Sequence, residues 1–437
     1  MLSIPKRHSR WPALTNVPLQ PDVRFPEAGT QVVGTILTST VMVRGMQPNL
    51  SSVLPALEEV DADGLLLHVS SEDPNQRYLS GFHSVDPFTT LFVPPDIHLL
   101  VRGLDRGLAR SSSNADTVAG PEQYDFEQLA DDYGRDLAGD HVVGAFCRDH
   151  GAEDILVPET FPVGMADTLR SIDISIHPDR TDIIAHTRAT KQPAEIEHIR
   201  TVQSVTERAM AEAEEMLRRA RIDGDGLLLD GEALTSERIR EAIEISLLRA
   251  GCHGPETIVA GGTDAGDPHE RGSGQLPARA PIVIDIFPRH HESGYHADMT
   301  RTFCVGEPDE PIGEWLELTS RAKAVGIEAI EPGATGELVH DAVCDVYEDA
   351  GIPTARSDPA SETGFVHGTG HGVGLAVHEY PRLSSGGDTL RPGNVITVEP
   401  GVYDPDIGGC RIEDLLVVTE DGVENLTSYP AIPRIER

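Results

Sequence analysis

The sequence predicts an α/β protein of two domains, in which the larger C-terminal domain repeats one plan of helices and strands. Three observations indicate this class. The 437 residues are enough for two or three domains with hydrophobic cores. Strand-like and helical runs alternate from residue 53 to about residue 180. From Ala194 onward, two helices followed by two strands occur twice in succession.

The smaller domain is expected over residues 46–185. The run DGLLLHVS predicts a strand, and TTLFVPPDIHLLVRG predicts a hairpin that turns at Pro94, Pro95 and Asp96. EQYDFEQLADDYGRDLAG predicts one helix that ends at Gly139, and DILVPETFP predicts a further strand. The polar passage DISIHPDRTD then indicates the boundary to the next domain.

The larger domain is expected over residues 186–437. Apolar residues recur at three- and four-residue steps from Ile196 to Met216, and a second helix over residues 236–250 is expected to end at Gly251. The strands PIVIDIF and ADMTRTFCV follow. The plan repeats with helices in EWLELTSRAKAVGIEAI and GELVHDAVCDVYEDAG, and with strands in NVITVEP and CRIEDLLVV. We interpret this order as a twofold internal repeat.

Acidic residues dominate the charge of the chain. The sequence has 72 Asp and Glu residues against 35 Lys and Arg residues, for a formal net charge of -37. Self-repulsion at this charge weakens a compact state in dilute buffer, and salt screens the repulsion. We interpret the composition as that of a halophile's protein, with an ordinary acidic protein as the alternative. Either interpretation argues against nucleic acid or an anionic membrane as a partner.

The cysteines and the apolar runs predict a cytoplasmic protein. The five cysteines are an odd number without any C-x-x-C spacing, which is typical of a reducing compartment rather than of a disulfide framework. No run approaches eighteen apolar residues, so we expect no transmembrane helix.

Residues 1–45 differ in composition from the rest of the chain, because they hold five basic and two acidic residues. We expect a poorly structured extension here, with Met46 as the natural start of the protein.

The segment HGTGHGVGLAVHE, residues 367–379, contains three histidines. His367 and His371 have the i, i+4 spacing of a helical zinc motif. Glycines stand at positions 368, 370, 372 and 374, and each interior glycine costs a helix about 1 kcal/mol relative to alanine. We therefore expect these histidines on a strand or loop, with any further metal ligands supplied by other parts of the chain.

Four acids lie in apolar, strand-like runs: Asp285, Asp298, Glu399 and Glu413. Taken singly, each acid is more often paired with an arginine or turned to solvent. Buried carboxylates are costly unless they are paired or bound to metal, and Arg411 alone does not neutralise four of them. Together they indicate a pair of divalent cations with His371 as the nitrogen ligand, and such a mixed set suits Mn, Co, Zn or Fe.

The motifs GYHADMTRTF, HGTGHGVGL…HE, VEPGVY and RIED, in this order, resemble those of the pita-bread metallopeptidases, namely aminopeptidase P, prolidase and, more distantly, methionine aminopeptidase. This resemblance covers about residues 190–430. A weaker resemblance of NQRYLSGF covers about residues 50–180 and matches the N-terminal domain that the first two enzymes share with creatinase. The resemblance implies a creatinase-like domain over residues 46–185 and a pita-bread catalytic domain over residues 186–437.

The resemblance also implies a role for each site residue. Five residues would hold two metal ions, manganese foremost, with Asp298 and Glu413 bridging them: Asp285, Asp298, His371, Glu399 and Glu413. Glu399 would carry a proton to the leaving nitrogen, and His378 would stabilise the oxyanion. His269 would take part in catalysis, and the substrate would contact His269, His367, His378 and Arg411.

The activity implied is that of a cytoplasmic, homodimeric exopeptidase that removes the N-terminal residue from peptides at Xaa-Pro bonds. Two alternatives remain, namely a creatinase-like enzyme that is not a peptidase and a catalytically silent binding protein on the same fold. Lost ligands would mark either alternative, and all five ligand positions are present in this sequence.

One departure from the family pattern lies between the two aspartates. The family usually has Asp-x-Gly and ten intervening residues, whereas this chain has twelve, with Phe287 in place of the glycine. Two extra residues keep the parity of strand pairing, so we expect Asp285 and Asp298 to face the same side. The rim of the cleft beside them is expected to differ.

Overall fold

The computed structural model describes residues 47–308, 310–431 and 435, which belong to one compact unit, Val43–Arg437. The extension predicted over residues 1–45 lies outside these residues. The α/β class is confirmed. Within the described residues, no helix has the length and hydropathy needed to cross a bilayer.

A six-stranded mixed sheet organises the first part of the chain. Its spatial order is β4-β3-β2-β1-β5-β6, and β1, β2 and β3 pair antiparallel while the other contacts are parallel. The predicted hairpin is confirmed, since Val93 pairs with Asp96 across the turn. The strands are β1 (Gly64–Val69), β2 (Phe88–Val93), β3 (Asp96–Leu100), β4 (Thr117–Ala119), β5 (Asp154–Pro158) and β6 (Ser175–Asp179).

Helices cover both faces of this sheet. Leu65 and Leu67 of β1 pack in one core, whereas Leu66 packs in another, as the alternation of side chains along a strand requires. The helices are α1 (Val53–Glu59), α2 (Pro74–Ser80), α3 (Arg106–Ser112), α4 (Phe126–Tyr133), α5 (Arg135–Asp149), α6 (Val163–Ser171) and α7 (Ile183–Ala189).

The single helix predicted over residues 122–139 is wrong. Gly134 separates α4 from α5 and has φ 85° and ψ 152°, a conformation that is essentially restricted to glycine. Gly139, the predicted end, lies inside α5. The polar passage at residues 173–182 contains β6, and the predicted domain limit at residue 185 falls within α7.

The second part begins with two helices, continues into strands, and then repeats that order. The helices are α8 (Pro193–Arg219), α9 (Ser236–Arg249), α10 (Ile312–Glu328) and α11 (Gly336–Asp349). The strands before α10 are β7 (Arg221–Asp223), β8 (Gly226–Leu229), β9 (Glu232–Ala233), β10 (Cys252–His253), β11 (Ile258–Gly261), β12 (Ile282–Ile286), β13 (Arg289–His290) and β14 (Met299–Phe303). Those after α11 are β15 (Gly370–Gly372), β16 (Glu379–Leu383), β17 (Val395–Val398), β18 (Gly401–Asp404), β19 (Gly408–Arg411), β20 (Asp414–Thr419) and β21 (Gly422–Asn425).

Two antiparallel sheets, β11-β12-β14 and β16-β15-β17-β20-β21, meet edge to edge below these helices. The amide of Glu413 donates to the carbonyl oxygen of Thr300 at 3.1 Å, and the amide of Arg411 donates to Thr302 Oγ1 at 3.0 Å. The apolar stripe of α8 packs in the same core as Ile284 of β12 and Leu65 of β1. One continuous core therefore joins the six-stranded sheet to the sheet that carries the candidate site.

Candidate metal centre

The four acids come together where strands of the two sheets end. Asp285 lies in β12, Asp298 precedes β14, Glu399 follows β17, and Glu413 lies between β19 and β20. The prediction that all four lie inside strands is thus wrong for three of them. The ladder between β17 and β20 stops at the pair Val398 and Asp414. Beyond it, the Glu413 amide donates to Thr300 of the other sheet, whereas the Glu399 amide donates to the Thr369 carbonyl oxygen.

The parity predicted for the aspartate hairpin is confirmed. Asp285 pairs with Thr300, which is two residues from Asp298, so the side chains of Asp285 and Asp298 lie on one side of the sheet. The twelve intervening residues include β13, which pairs with β10 rather than with the strands of the site. The longer hairpin therefore leaves the two carboxylates in register.

The carboxylates surround the imidazole of His371. Ligand atoms of Asp298, His371 and Glu413 lie within 4.8 Å of one another. His371 Nε2 is 3.3 Å from Glu399 Oε1 and 3.7 Å from Asp298 Oδ2. Asp285 also belongs to this group, because its negative charge raises the pKa values of both Asp298 and Glu413.

His371 lies on β15, which confirms a strand rather than a helix for this histidine. A Cβ at Gly370 would be 2.0 Å from the Thr397 carbonyl oxygen, and one at Gly372 would be 2.1 Å from that of Tyr380. The flanking glycines therefore permit a close approach of backbones on both sides. His371 Nδ1 donates to the Gly372 carbonyl oxygen at 3.1 Å, which turns Nε2 towards the acids.

The buried carboxylates repel one another. Burial raises the pKa of Asp298 well above its ordinary value, and the charges of Glu413, Asp285 and Glu399 raise it further. Burial and then the charges of Glu399 and Asp285 raise the pKa of Glu413 to about 8. Burial also opposes ionisation of Glu399, but its hydrogen bond to His371 and the charge of that imidazole lower its pKa to about 2.

These residues fit a pair of divalent cations. Carboxylate oxygens with one imidazole nitrogen form a donor set that such ions accept. Asp285 Oδ1 is buried and has no hydrogen-bond partner among the described residues, an arrangement that costs free energy unless a cation or donor reaches it. A positive ion would also relieve the repulsion among the acids.

Arg411 holds this group together from one side. Its Nη2 donates to Asp285 Oδ2 at 2.7 Å, its Nε to Thr300 Oγ1 at 3.0 Å, and its Nη1 to the Tyr403 hydroxyl at 3.0 Å. Thr300 Oγ1 in turn donates to Glu413 Oε2 at 2.9 Å. The side chain of Arg411 is buried, so its contacts favour positioning of Asp285 over the substrate contact that the sequence predicts.

His367 is also bound to groups of the protein through its ring. Its Nδ1 donates to the Gly368 carbonyl oxygen at 2.7 Å, and its Nε2 lies 2.9 Å from the Tyr403 hydroxyl. Because Arg411 donates to the Tyr403 oxygen, the hydroxyl proton points to His367. Both ring nitrogens of His367 are thus engaged within the protein.

The two remaining histidines face the open side of the centre. His378 is exposed, and its ring lies 4.3 Å from that of His371 at an angle of 83°. His269 is also exposed, on the loop after a short 3₁₀ helix at Gly262–Gly266. Partial burial of the ring lowers the pKa of His378, and the charges of His371 and His269 lower it further, whereas that of Glu399 raises it.

Sequence reasoning missed Tyr403 and Thr397 as members of this site. Tyr403 connects His367 to Arg411, and Thr397 Oγ1 accepts from the His371 amide at 3.1 Å and lies 3.4 Å from Glu399 Oε1. Tyr403 ends the VEPGVY motif, which was the one available signal for it. Thr397 is two residues before Glu399, so the period of a strand places both on one face.

Solved structures share this fold. A prolidase from Pyrococcus horikoshii aligns with a TM-score of 0.69 and 25% identity, over 87% of this chain and 98% of its own. An X-Pro aminopeptidase from Thermotoga maritima aligns with a TM-score of 0.70 and 25% identity, over 86% of this chain and 98% of its own. These likenesses confirm the predicted pita-bread architecture and the smaller domain before it.

Sequence comparisons agree with the structural ones. A probable dipeptidase PepE from Mycobacterium tuberculosis is 34% identical over 251 residues, so the match spans 57% of this chain and 61% of that relative. A Xaa-Pro dipeptidase from Pyrococcus horikoshii is 27% identical over 388 residues, 87% of this chain and 97% of that protein. The model of metallopeptidase family M24 matches residues 197–420, about half of the chain, and this segment contains the five residues of the centre. The chain therefore belongs to metallopeptidase family M24.

Proposed function

We propose that this protein is a metal-dependent exopeptidase that removes the N-terminal residue from peptides at Xaa-Pro bonds. The observation that carries the proposal is that Nε2 of His371 faces the carboxylates of Asp298, Glu399 and Glu413. Within the described residues, Asp285 Oδ1 is also buried without a hydrogen-bond partner. The relatives named Xaa-Pro dipeptidase and X-Pro aminopeptidase support the choice of substrate.

Five residues would hold two divalent ions: Asp285, Asp298, His371, Glu399 and Glu413. Such a pair of ions lowers the pKa of a water molecule and polarises the carbonyl group of a peptide. Oxygen ligands outnumber the single nitrogen ligand, which suits manganese, while cobalt, zinc and iron accept the same set.

The remaining chemistry belongs to side chains of this chain. Glu399 is held by the neighbouring His371 and Thr397, and it would accept a proton and pass it to the leaving nitrogen. His378 is exposed above His371, where it would donate a hydrogen bond to the oxyanion that develops on the carbonyl oxygen. His269 would line the opposite side of the cleft.

A peptide with proline in the second position requires a cleft that recognises the proline ring. An Xaa-Pro bond is a tertiary amide, so the leaving nitrogen carries no N–H, and the ring fixes φ. A pocket must therefore recognise the ring by shape. We propose that His269 and His378 border this pocket, and that Arg411 and His367 shape its floor without contacting the peptide directly.

We further propose that the enzyme is a cytoplasmic homodimer from a halophile. The odd number of cysteines and the lack of any C-x-x-C spacing in the sequence support a reducing compartment. The acidic composition supports the halophilic origin. The homodimer rests on the resemblance to prolidase and aminopeptidase P alone.

Peptide cleavage in molar KCl tests the proposal. Ala-Pro, Gly-Pro and Ala-Pro-Ala should be hydrolysed in the presence of Mn, Co or Zn, and faster than Met-Ala-Ser and Leu-Gly. Faster cleavage of the two controls than of every proline peptide would refute the specificity. Stoichiometric metal without hydrolysis of any peptide would favour a catalytically silent or creatinase-like protein.

A further inference from the structure

A buried carboxylate directly follows the exposed histidine of the centre. The side chain of Glu379 is 2% exposed, and it lies between Arg188 Nη2 and Lys191 Nζ at 2.5 Å each. Both cations are buried as well, with side-chain exposures of 4% and 1%. Burial opposes ionisation of Glu379, but the charges of Lys191 and Arg188 hold its pKa below the ordinary value. A buried ion cluster of this kind fixes geometry, because breaking it leaves unpaired charges.

The loop of residues 373–378, which ends in His378, is wrapped around this carboxylate. The Ala376 amide points at Glu379 Oε2 from 3.5 Å. A Cβ at Gly374 would lie 2.1 Å from Glu379 Oε1, so the carboxylate packs directly on the Gly374 backbone. One side chain therefore contacts the loop at Gly374 and at Ala376, and its own backbone directly follows His378.

The contacts of Glu379 lead away from the metal centre. Arg188 also donates to Asn75 Oδ1 at the start of α2, and Lys191 lies two residues before α8. None of the candidate metal ligands contacts the Glu379 side chain among its recorded hydrogen bonds and ion pairs in the described residues. Glu379 is thus placed to act on His378 rather than on a metal ion.

A second cluster of the same composition offers a comparison. Asp414 directly follows Glu413, is buried, and pairs with Arg301 Nη2 at 2.8 Å and with Lys323 Nζ. Asp414 therefore adjoins a candidate metal ligand, whereas Glu379 adjoins a residue proposed to contact substrate. Substitutions at the two positions should have different consequences.

We propose that Glu379 is a positioning residue that anchors residues 373–378 to Arg188 and Lys191 and so sets the place of the His378 imidazole above His371. This inference rests on the proposed peptidase function. Glu379 touches neither substrate nor metal, and its effect on the reaction passes through His378.

Steady-state kinetics and metal analysis of Glu379→Gln test the proposal. We expect kcat on Ala-Pro to fall about 10- to 100-fold, since misplacement of a contributing group by about 1 Å has effects of this size, with two metal ions still bound. Two variants serve as controls. Lys191→Arg retains the positive charge beside Glu379 and is expected to retain most of the activity. Asp414→Asn is the matched control, and we expect its activity to be restored by excess Mn, unlike that of Glu379→Gln.

A double-mutant cycle identifies the route of the effect. If Glu379 acts through His378, then Glu379→Gln adds little to the loss already caused by His378→Ala. Full additivity, unchanged kcat in Glu379→Gln, or rescue of that variant by excess metal would each overturn the proposal. Where Glu379→Gln does not fold, the charge-balanced variant Glu379→Gln with Lys191→Met replaces it in the same cycle.

Chemical modification separates this inference from the peptidase proposal. Diethyl pyrocarbonate should modify His378 faster in Glu379→Gln than in the wild-type protein, with the exposed His269 as the internal reference. This ratio is measurable even if the wild-type protein cleaves no peptide, which would refute the proposed function alone. An unchanged ratio of His378 to His269 modification would refute the positioning role.

Discussion

Arg411 links three groups of the centre through one guanidinium, namely Asp285, Thr300 and Tyr403. Residue types and spacing were enough to predict the five ligand candidates, because buried acids without cations are rare. They were not enough to predict which partner each donor would choose, since that choice depends on side chains distant in sequence. His367 and Arg411 illustrate this limit, because both are engaged by Tyr403.

We predict that Arg411→Lys weakens the binding of Mn by about 10- to 100-fold, the usual cost of losing a residue that orients a ligand. A lysine cannot reproduce the three directed contacts of the guanidinium. Isothermal titration of the metal-free protein measures the affinity. Arg356→Lys, in a half-exposed cluster with Asp341, Asp345 and Glu348, serves as the control and should leave it unchanged. Equal affinities of Arg411→Lys and the wild type would contradict the assignment.

The stability of the metal-free protein should decrease as the pH rises from 6 to 9. Burial and neighbouring acids raise the pKa values of Asp298 and Glu413, the latter to about 8, above the values of an unfolded chain. The folded state thus keeps protons that the unfolded state has released, so this contribution to stability is lost as the pH rises through about 8. Thermal unfolding at each pH, with and without Mn, measures it. The unfolding temperature should fall less steeply with pH when Mn is bound, and also in the Asp298→Asn variant. An unfolding temperature of the metal-free protein that does not change with pH would contradict the raised pKa values.

At the scale of elements, the break between α4 and α5 shows what periodicity cannot detect. The apolar pattern over residues 122–139 continues through Gly134, but the backbone there has φ 85°. A glycine in a helical pattern does not reveal the sign of φ, which the packing of α4 and α5 determines. By contrast, α8 and α9 were predicted well, since their apolar stripes follow the helical period and each begins after a capping residue.

We predict opposite effects from alanine at the two glycines of this region. Gly134→Ala should lower the free energy of unfolding by about 1–3 kcal/mol, because alanine is strained at this φ and ψ. Gly139→Ala lies inside α5, where a Cβ meets no atom within 4 Å, and should raise it by about 0.5–1 kcal/mol. Urea denaturation of both variants measures the difference. Similar changes in the two variants would mean that the helix continues through Gly134.

For the whole molecule, the order of helices and strands predicted the α/β class and the internal repeat, whereas the pita-bread architecture was implied by the resemblance of the motifs. The meeting of the two sheets could not be predicted, because the bonds between Glu413 and Thr300 join residues more than a hundred positions apart. Pairing of this kind is decided by tertiary packing rather than by local pattern.

We predict that the unfolding temperature rises steadily from dilute to molar KCl. The Debye length falls from about 10 Å at 0.1 M to about 3 Å at 1 M, so added salt removes repulsion between surface carboxylates. Differential scanning calorimetry measures the rise. The control is the unfolding temperature at increasing concentrations of sucrose, which is excluded from protein surfaces but does not screen charge. An unfolding temperature that is flat in KCl would refute the halophilic interpretation.

The two buried ion clusters have a consequence for chemical labelling. The chain has three lysines, and the two within the described residues, Lys191 and Lys323, are the cations that pair with Glu379 and Asp414. An acylating reagent therefore reaches these amines only when the clusters open. The rate of acylation at each lysine, read by peptide mass spectrometry, would report how often each cluster separates. The protein thus carries two built-in reporters of local opening, one beside His378 and one beside Glu413.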